Sequence, residues 1–293
     1  MKITDKVENF IEQVAGLNVL VIGETIIDEF IPVSYEGQSM KSICPVFKFE
    51  GKTNKQMGGA SAIFNHLKDF VKNVSIITNE KEEIVKTRYV DVSDNKKHVE
   101  INKFDNSGFK VIKTDTSKYD TVIVADFGHG FCDKLKITDG FHLMCQTNSN
   151  NFGFNRVSKW KQQRKKSVCL DLREASLQMN TRIKFKNDSE VKELFNYEIN
   201  TDNLFLTIGH AGSVYTNGKK IIKQKTFKSD IVDTIGAGDT FFAFSSISAA
   251  SNKNNPEDIM LVPALAASLS TTWLCNEKSV TKKQLIQHAA QFI

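Results

Sequence analysis

The sequence has no long hydrophobic run. Its longest mainly apolar stretch, residues 259–269, is short and contains Pro263, whereas a membrane-spanning helix needs roughly 20 apolar residues. Residues 1–8 mix charges and lack the apolar core and small-residue cleavage site of a secretion signal. These absences predict a cytoplasmic protein with no membrane partner.

Cysteine is scarce and is not arranged for metal or redox chemistry. The five cysteines are an odd number, lie far apart and include no C-x-x-C pair. We therefore expect buried free thiols and no zinc or redox site. Most histidines show no metal-ligand spacing either, and we expect satisfied or solvated imidazoles at His66, His98, His142, His210 and His288.

Three signatures of common enzyme sites are also missing. The chain contains no G-x-x-x-x-G-K-[ST] loop, no G-x-S-x-G elbow, and no G-x-G-x-x-G after its first predicted strand. P-loop, hydrolase and dinucleotide-binding functions therefore lose their usual support from the sequence.

The excess of positive charge is small. A formal net charge of +5 gives only weak support for anionic ligands such as nucleotides or sugar phosphates. The densest basic run, residues 159–166, precedes a predicted apolar strand, and we interpret it as the solvated face of a helix. No nucleic-acid partner is predicted.

Short β-branched strands do alternate with helix-length amphipathic segments. Hydrophobic residues make up 40% of the 293 residues, which is typical of a globular protein. The alternation predicts a single α/β domain over residues 1–293, a three-layer α/β/α sandwich around a mostly parallel sheet. The predicted strands are 19–22, 74–78, 121–125, 168–170 and 204–208, and residues 264–274 are predicted as one buried helix.

Two stretches, about 30–57 and 86–104, interrupt this alternation with β-rich sequence. Ligands of open α/β sheets bind outside the carboxyl ends of the strands, and both stretches leave the sheet near that edge. We interpret them as a small β lid over a site. An ordinary surface hairpin is the alternative.

Residues 233–239 (Asp-Thr-Ile-Gly-Ala-Gly-Asp) run directly into an apolar helix. Glycines before a helix leave backbone N–H groups free near its positive end, which suits a phosphoryl group in transfer. Asp239 is placed to take the proton of an attacking hydroxyl. The alternative is that Asp239 only caps the helix.

This segment resembles the C-terminal signature of the PfkB, or ribokinase-like, carbohydrate kinases. The resemblance implies that Asp239 is the catalytic base and that Gly236, Ala237 and Gly238 form the anion hole. Other matches follow in order along nearly the whole chain. They are Asp28, Gly58 and Gly59 as sugar-binding elements, Asn187 and Glu190 as residues that organise Mg²⁺ through water, and a turn beside the nucleotide at residues 207–212.

Within that family the sequence is most similar to heptose-phosphate kinases. The first strand, the lid strand at residues 86–90 and the turn at residues 126–130 carry this likeness, which adds Asp126 and His129 as predicted substrate contacts. His129 stands where that branch usually has Lys. Ser61 and Ala62 stand where the family commonly has a sugar-binding Asn, and these departures leave the sugar open.

The resulting prediction is an ATP- and Mg²⁺-dependent kinase of a sugar or sugar phosphate. Lid cations are predicted to reach a phosphate already on the sugar, and the lid is predicted to support a homodimer. A kinase of another small molecule, such as a nucleoside, and a catalytically silent binding protein are the alternatives. The predicted nucleotide contacts are Thr207, Gly209, Gly212, Asp233 and Thr234, and the predicted lid cations are Lys52, Lys55, Arg88 and Lys103.

Overall fold

Two β-sheets dominate the fold. The computed structural model describes residues 1–79, 83–138, 140–148, 153–185, 187–251 and 257–292. The strands are β1 (Asn18–Gly23), β2 (Thr25–Gln38), β3 (Pro45–Phe49), β4 (Asn54–Gly59), β5 (Asn73–Ile77), β6 (Ile84–Asp91), β7 (Lys97–Phe104), β8 (Ile112–Lys113), β9 (Thr121–Asp126), β10 (Leu135–Lys136), β11 (Phe141–Cys145), β12 (Lys165–Asp171), β13 (Leu204–Thr207), β14 (Ser213–Thr216) and β15 (Ile221–Gln224). The helices are α1 (Ile3–Val14), α2 (Ala60–Leu67), α3 (Leu172–Gln178), α4 (Asp188–Asn196), α5 (Ala237–Ala250), α6 (Leu261–Ser270) and α7 (Lys282–Ala289).

In the described part of the chain, the large sheet has eight strands in the order β15-β14-β13-β12-β11-β9-β1-β5. The strands from β13 to β5 pair in parallel, and β14 and β15 form an antiparallel edge. The chain leaves β1 first for β5 on one side and then for β9 on the other. Such a reversal of strand order opens a crevice at the carboxyl ends of the strands, where ligands bind.

Helices cover the large sheet, whose central strands are apolar on both faces. All six residues of β9 are buried, as a strand covered on both sides requires. Helix α2 packs on β1 and β5, α5 packs on β9 and β12, α3 packs on β12 and β13, and α4 packs on β14. The predicted three-layer α/β/α architecture with a mostly parallel sheet is confirmed.

The small sheet consists of β2, β3, β4, β6 and β7. Strand β2 is central: it pairs in parallel with β6 on one side, and in antiparallel fashion with β4 and then β3 on the other. Strand β7 completes the sheet beside β6. The predicted β-rich insertions therefore form one sheet, although β2 begins at Thr25, earlier than expected.

The five predicted strands of the large sheet are confirmed as β1, β5, β9, β12 and β13. Strand β11 escaped prediction because its residues, Phe-His-Leu-Met-Cys, include no β-branched side chain. The apolar helix predicted at residues 264–274 is α6. It spans Leu261–Ser270, so it begins and ends earlier than predicted. Pro263 is tolerated in its first turn because a backbone N–H has no intrahelical acceptor there, and proline has none to lose.

The interpretation of residues 159–166 as a solvated helix face is wrong. A short 3₁₀ helix, Val157–Trp160, ends there, and β12 begins at Lys165. Lys165 is fully buried, and its Nζ donates hydrogen bonds to the backbone oxygens of Trp160 and Gln163 at 2.7 and 2.8 Å. One lysine of the basic run is therefore part of the core, where backbone oxygens satisfy its charged group.

Four cysteines are buried free thiols, as predicted, and Cys44 is exposed. Among the described helices, none is long and apolar enough to cross a membrane.

Candidate active site

A cleft of about 1930 Å³ lies between the small sheet and the carboxyl ends of the large sheet. Most of the residues predicted to form a site line it. They are Asp28, Gly59, Thr207, Gly209, Gly212, Thr234, Gly236, Ala237, Gly238 and Asp239. The fold therefore brings sequence-distant elements to one place, at the strand ends that the topology identifies.

The glycine turn before α5 presents backbone donors to this cleft. Gly236 is the N-cap of the helix and has φ 86°, a left-handed conformation that favours glycine. A Cβ at Gly238 would meet no described atom within 4 Å, so the backbone there is open to a ligand. The first N–H groups of an α-helix have no intrahelical acceptor and lie at its positive end. This turn is thus suited to hold an anion.

Asp239 is the third residue of α5, two positions beyond the first helical residue, so it is not the N-cap. Its side chain lines the cleft yet the residue is only 8% exposed. Burial, reinforced by the negative charge of Asp28 and opposed by Lys86, raises the pKa of Asp239 to about 7. A carboxylate with such a pKa is a competent proton acceptor near neutral pH.

Asp28 lies within β2, the central strand of the small sheet. The carboxylate is buried and forms an ion pair with Arg88 Nη1 at 2.5 Å. Arg88 also donates through Nε to Glu100 at 2.8 Å. Gly58 is needed beside this group, because a Cβ at that position would clash with Asp28 Oδ2.

Two residues that sequence reasoning missed also line the cleft, Lys86 and Asn276. Lys86 lies on β6 two positions before Arg88, so the period-two pattern of that strand places both on one face. Asn276 Nδ2 is 3.4 Å from Asp28 Oδ2, and its Oδ1 lies 2.7 Å from where a Cβ of Gly236 would stand. No motif marks Asn276; only the fold brings it to the glycine turn.

Asp126 does not line the cleft. Its buried carboxylate accepts hydrogen bonds from Trp160 Nε1 at 2.9 Å and Asn155 Nδ2 at 3.1 Å, and it forms an ion pair with Lys159 at 2.6 Å. Asp126 therefore joins the end of β9 to the segment before β12. In this geometry it does not support the predicted contact with substrate.

His129 is also outside the cleft lining and is only 2% exposed. Neither ring nitrogen has a hydrogen-bond partner among the described residues, and the ring packs against Phe104 with centroids 5.1 Å apart. Burial, together with the charge of Lys86, lowers the pKa of His129 to about 4. The imidazole is neutral at physiological pH.

The side chains of Asp233 and Asn187 accept hydrogen bonds from nearby backbone N–H groups. Asp233 accepts from Ile235 N at 3.1 Å and from Lys97 Nζ at 3.0 Å, so it ties β7 of the small sheet to the loop before the glycine turn. Asn187 is the N-cap of α4, and its Oδ1 accepts from the backbone N–H groups of Ser189 and Glu190. Neither Asn187, Glu190 nor Asp233 lines the cleft.

The predicted lid cations also differ in position. Arg88 lines the cleft but is paired with two carboxylates. Lys52, Lys55 and Lys103 are exposed and outside the lining, and Lys55 lies 3.2 Å from Glu29. This geometry does not support a shared role for the four in phosphate binding.

Solved structures of other proteins share this architecture. The solved structures that resemble this chain include a nucleoside kinase from Methanocaldococcus jannaschii, 17% identical with a TM-score of 0.64 over 94% of this chain and 100% of that one. Ribokinase from Thermotoga maritima and Arabidopsis thaliana ribokinase complexed with ribose and ATP are each 14% identical, with a TM-score of 0.67 over 94% and 99% of the two chains. At these identities the likeness concerns the fold. No curated protein matches the sequence significantly.

The sequence profile described as pfkB family carbohydrate kinase matches residues 17–274. That range contains the small sheet, the glycine turn and Asp239. The chain therefore belongs to the pfkB family of carbohydrate kinases, which are phosphotransferases with an alcohol group as acceptor.

Proposed function

We propose that this protein transfers the γ-phosphoryl group of ATP to a hydroxyl of a sugar or sugar phosphate, with Asp239 as the catalytic base. The observation that carries this proposal is the position of Asp239. It is a buried carboxylate with a pKa raised to about 7, in the first turn of a helix that begins with an open glycine turn. A base and an anion hole are thus adjacent.

In the proposed reaction Asp28 positions the acceptor hydroxyls and Asp239 accepts the proton of the attacking hydroxyl. The hydroxyl oxygen forms a bond to the γ-phosphorus while the bond from that phosphorus to the leaving ADP oxygen breaks. Backbone N–H groups at Gly236–Gly238 donate hydrogen bonds to the oxygens of the transferring phosphoryl group and stabilise its negative charge. Asp239 then releases its proton to solvent. All of these residues line the same cleft. Asp28 and Asp239 act through their side chains, and the glycine turn acts through its backbone.

The nucleotide is proposed to lie at the other end of the cleft. Thr207 is the last residue of β13, Gly209 and Gly212 follow that strand, and Thr234 precedes the glycine turn. All four border the same cleft. Asp233 is proposed to act indirectly, since its carboxylate holds Ile235 N and fixes the loop that leads to Gly236.

The resemblance to the family implies Mg²⁺, which supplies charge neutralisation at nucleotide phosphates when it is bound. Asn187 and Glu190 do not fit this ion in the present geometry. Asn187 Oδ1 accepts three hydrogen bonds, from Ser189 N, Ser189 Oγ and Glu190 N, and neither residue borders the cleft. We assign no step through the metal.

Heptose phosphate as the acceptor and a homodimer through the small sheet both stay predictions. The exposed apolar side chains of Tyr35, Phe49 and Ile101 on the small sheet support the idea of a second copy covering it. Light scattering of the purified chain measures the mass directly: a dimer mass agrees with the prediction, and a monomer at micromolar concentration contradicts it.

The function is tested by ADP release with a panel of sugars, sugar phosphates, sugar acids and nucleosides. Wild-type protein should release ADP only in the presence of an acceptor, and Asp239→Asn should lower kcat by several orders of magnitude while ATP binding persists. Asp94→Asn, an exposed aspartate in the turn between β6 and β7, is the matched control and should be unaffected. ATP binding without turnover on any acceptor would show a silent binding protein instead.

A further inference from the structure

A row of polar side chains crosses the small sheet beside Asp239. Asp28 on β2 is directly opposite Gln56 on β4 and Lys86 on β6, and Lys86 is opposite Asn102 on β7. Side chains directly opposite one another lie on the same face of a sheet. Because Asp28 and Lys86 line the cleft, this row belongs to the face that borders it.

Lys86 is the exceptional member of the row. It is only 9% exposed, yet among the described residues its ammonium group has no hydrogen bond and no ion-pair partner within the usual distance. Burying a charge without a partner is costly. The other buried Lys and Arg side chains among the described residues are satisfied: Arg88 has Asp28 and Glu100, and Lys165 has two backbone oxygens.

The carboxylates nearest to Lys86 are already engaged. Asp28 and Glu100 are bonded to Arg88, and Asp239 is the proposed base. Burial is the main cause of a lowered pKa at Lys86, while the charges of Asp28, Glu100 and Asp239 oppose the change and Arg88 adds to it. Lys86 therefore feels these carboxylates only at longer range, and no described group within ion-pair distance satisfies its ammonium group.

Polar atoms without partners lie in this row of the small sheet and beside it. Among described residues, Gln56 Nε2, Asn102 Oδ1 and both ring nitrogens of His129 are buried and make no hydrogen bond. His129 is close enough for the charge of Lys86 to affect its titration. Orphaned buried donors and acceptors are rare in folded proteins and costly. Several of them in and beside the row that contains Lys86 are characteristic of a site that is completed by a ligand.

We propose that Lys86 binds an anionic substituent carried by the acceptor, so that the preferred acceptors are acidic sugars. The substituent is a phosphate monoester or a carboxylate, two groups that form charge-assisted hydrogen bonds with an ammonium group and would supply the direct partner that Lys86 lacks. This inference deepens the proposed function and rests on it. In this proposal the small sheet binds the acidic group of the acceptor, and the glycine turn before Asp239 binds the phosphates of the nucleotide.

The first test is the kinetic selectivity of Lys86→Met, which keeps the length of the side chain and removes its charge. For phosphorylated or carboxylated sugars, kcat/KM should fall on the order of 100-fold through a higher acceptor KM, since one partner of a buried ion pair is lost. On the pH plateau, where Asp239 is ionised in both proteins, the KM for ATP and any turnover of the corresponding neutral sugars should stay within about 2-fold. Lys48→Met, an exposed lysine of the same sheet, is the control and should match wild type.

Two kinetic outcomes would overturn the inference. A rise in the KM for ATP would place Lys86 at the transferred phosphoryl group, and an equal loss with neutral and acidic acceptors would make it only a modulator of Asp239. Wild-type protein that phosphorylates neutral sugars in preference to acidic ones would refute the inference while leaving the proposed kinase function intact.

A second measurement does not depend on turnover. Thermal unfolding of the wild type in ribose 5-phosphate, fructose 6-phosphate and gluconate should show a rise in Tm that ribose and fructose do not give, because a ligand that binds only the folded state stabilises it. Lys86→Met should lose that rise. A rise that survives in Lys86→Met, or none with any acidic sugar, contradicts the inference even if no ATP is consumed.

Discussion

Replacement of Asp239 by Asn should make the folded protein more stable while it abolishes catalysis. The carboxylate is buried near Asp28, and both effects disfavour its ionised form, which is why its pKa is raised from 3.8 to about 7. Asn has nearly the same shape as the protonated acid and carries no charge. The substitution therefore removes a group that is costly in the folded state.

The magnitude follows from the pKa shift. A change of about three pK units corresponds to about 4 kcal/mol of folding free energy, since each unit is worth about 1.4 kcal/mol. The folded protein binds this proton more tightly than the unfolded chain, so the wild-type free energy of unfolding falls as the pH rises from about 4 to about 7 and then levels off. Asp239→Asn should exceed wild type by about 2 kcal/mol at pH 5 and by about 4 kcal/mol at pH 8.

Chemical denaturation of both proteins at several pH values measures this difference. Glu24, whose pKa burial raises to about 7, titrates in both proteins and cancels in the comparison. Burial also raises the pKa of Glu174 to about 8, and the charge of Asp239 contributes to that shift, so the loss of this charge in Asp239→Asn adds to the stability gain. A stability gain that is absent at pH 8, or that does not change between pH 5 and pH 8, would refute the claim that burial and Asp28 raise the pKa of Asp239 and make its ionised form costly in the folded protein. The low-pH measurement serves as the internal control.

Three further predictions concern the same site. The kcat/KM for an accepted sugar should rise with pH to a plateau above about pH 7, because Asp239 must be ionised to act. Lys86→Met should move that rise to higher pH, because the charge of Lys86 lowers the pKa of Asp239. A pH profile of kcat/KM that is flat from pH 5 to pH 8 contradicts this. Asn187→Ala should cost about 1 kcal/mol in denaturation experiments through loss of the N-cap, with kcat nearly unchanged, and Asn187→Asp should restore the stability; a large fall in kcat together with a changed Mg²⁺ dependence would instead support a role at the metal. Gly236→Ala should lose activity and more than about 1 kcal/mol of stability because of its positive φ, whereas Gly16→Ala, where a Cβ meets no described atom within 4 Å, should be neutral.

The fold class was predictable because it follows from local patterns. The five predicted central strands are short runs of mainly apolar residues with at least one β-branched side chain, and a strand such as β9 is buried along its whole length. The exception, β11, has the burial without the β-branched composition. Its His142 is accommodated only by tertiary partners, the hydroxyl groups of Ser167 and Thr121, which no local window contains.

The position of the glycine turn and Asp239 at the cleft was predictable for a similar reason, since these residues are adjacent in sequence and run directly into a helix. Asp28 was identified by its motif, but its partner Arg88 comes from another strand. The structural roles of Asp126 and Asn187 depend on which donors surround their oxygen atoms. Likewise, the missing partner of Lys86 is a property of packing that the sequence does not express.

The central claim, that Asp239 is the base in phosphoryl transfer to a sugar hydroxyl, is tested most directly by single-turnover transfer from γ-labelled ATP. Wild type and Asp239→Asn are each mixed with the best acceptor of the panel, with enzyme in excess over ATP, so that the chemical step alone is observed. The account predicts rapid label transfer by wild type and a rate at least about 1000-fold lower for the variant, with ATP bound equally well. Transfer at a similar rate by both proteins would contradict it.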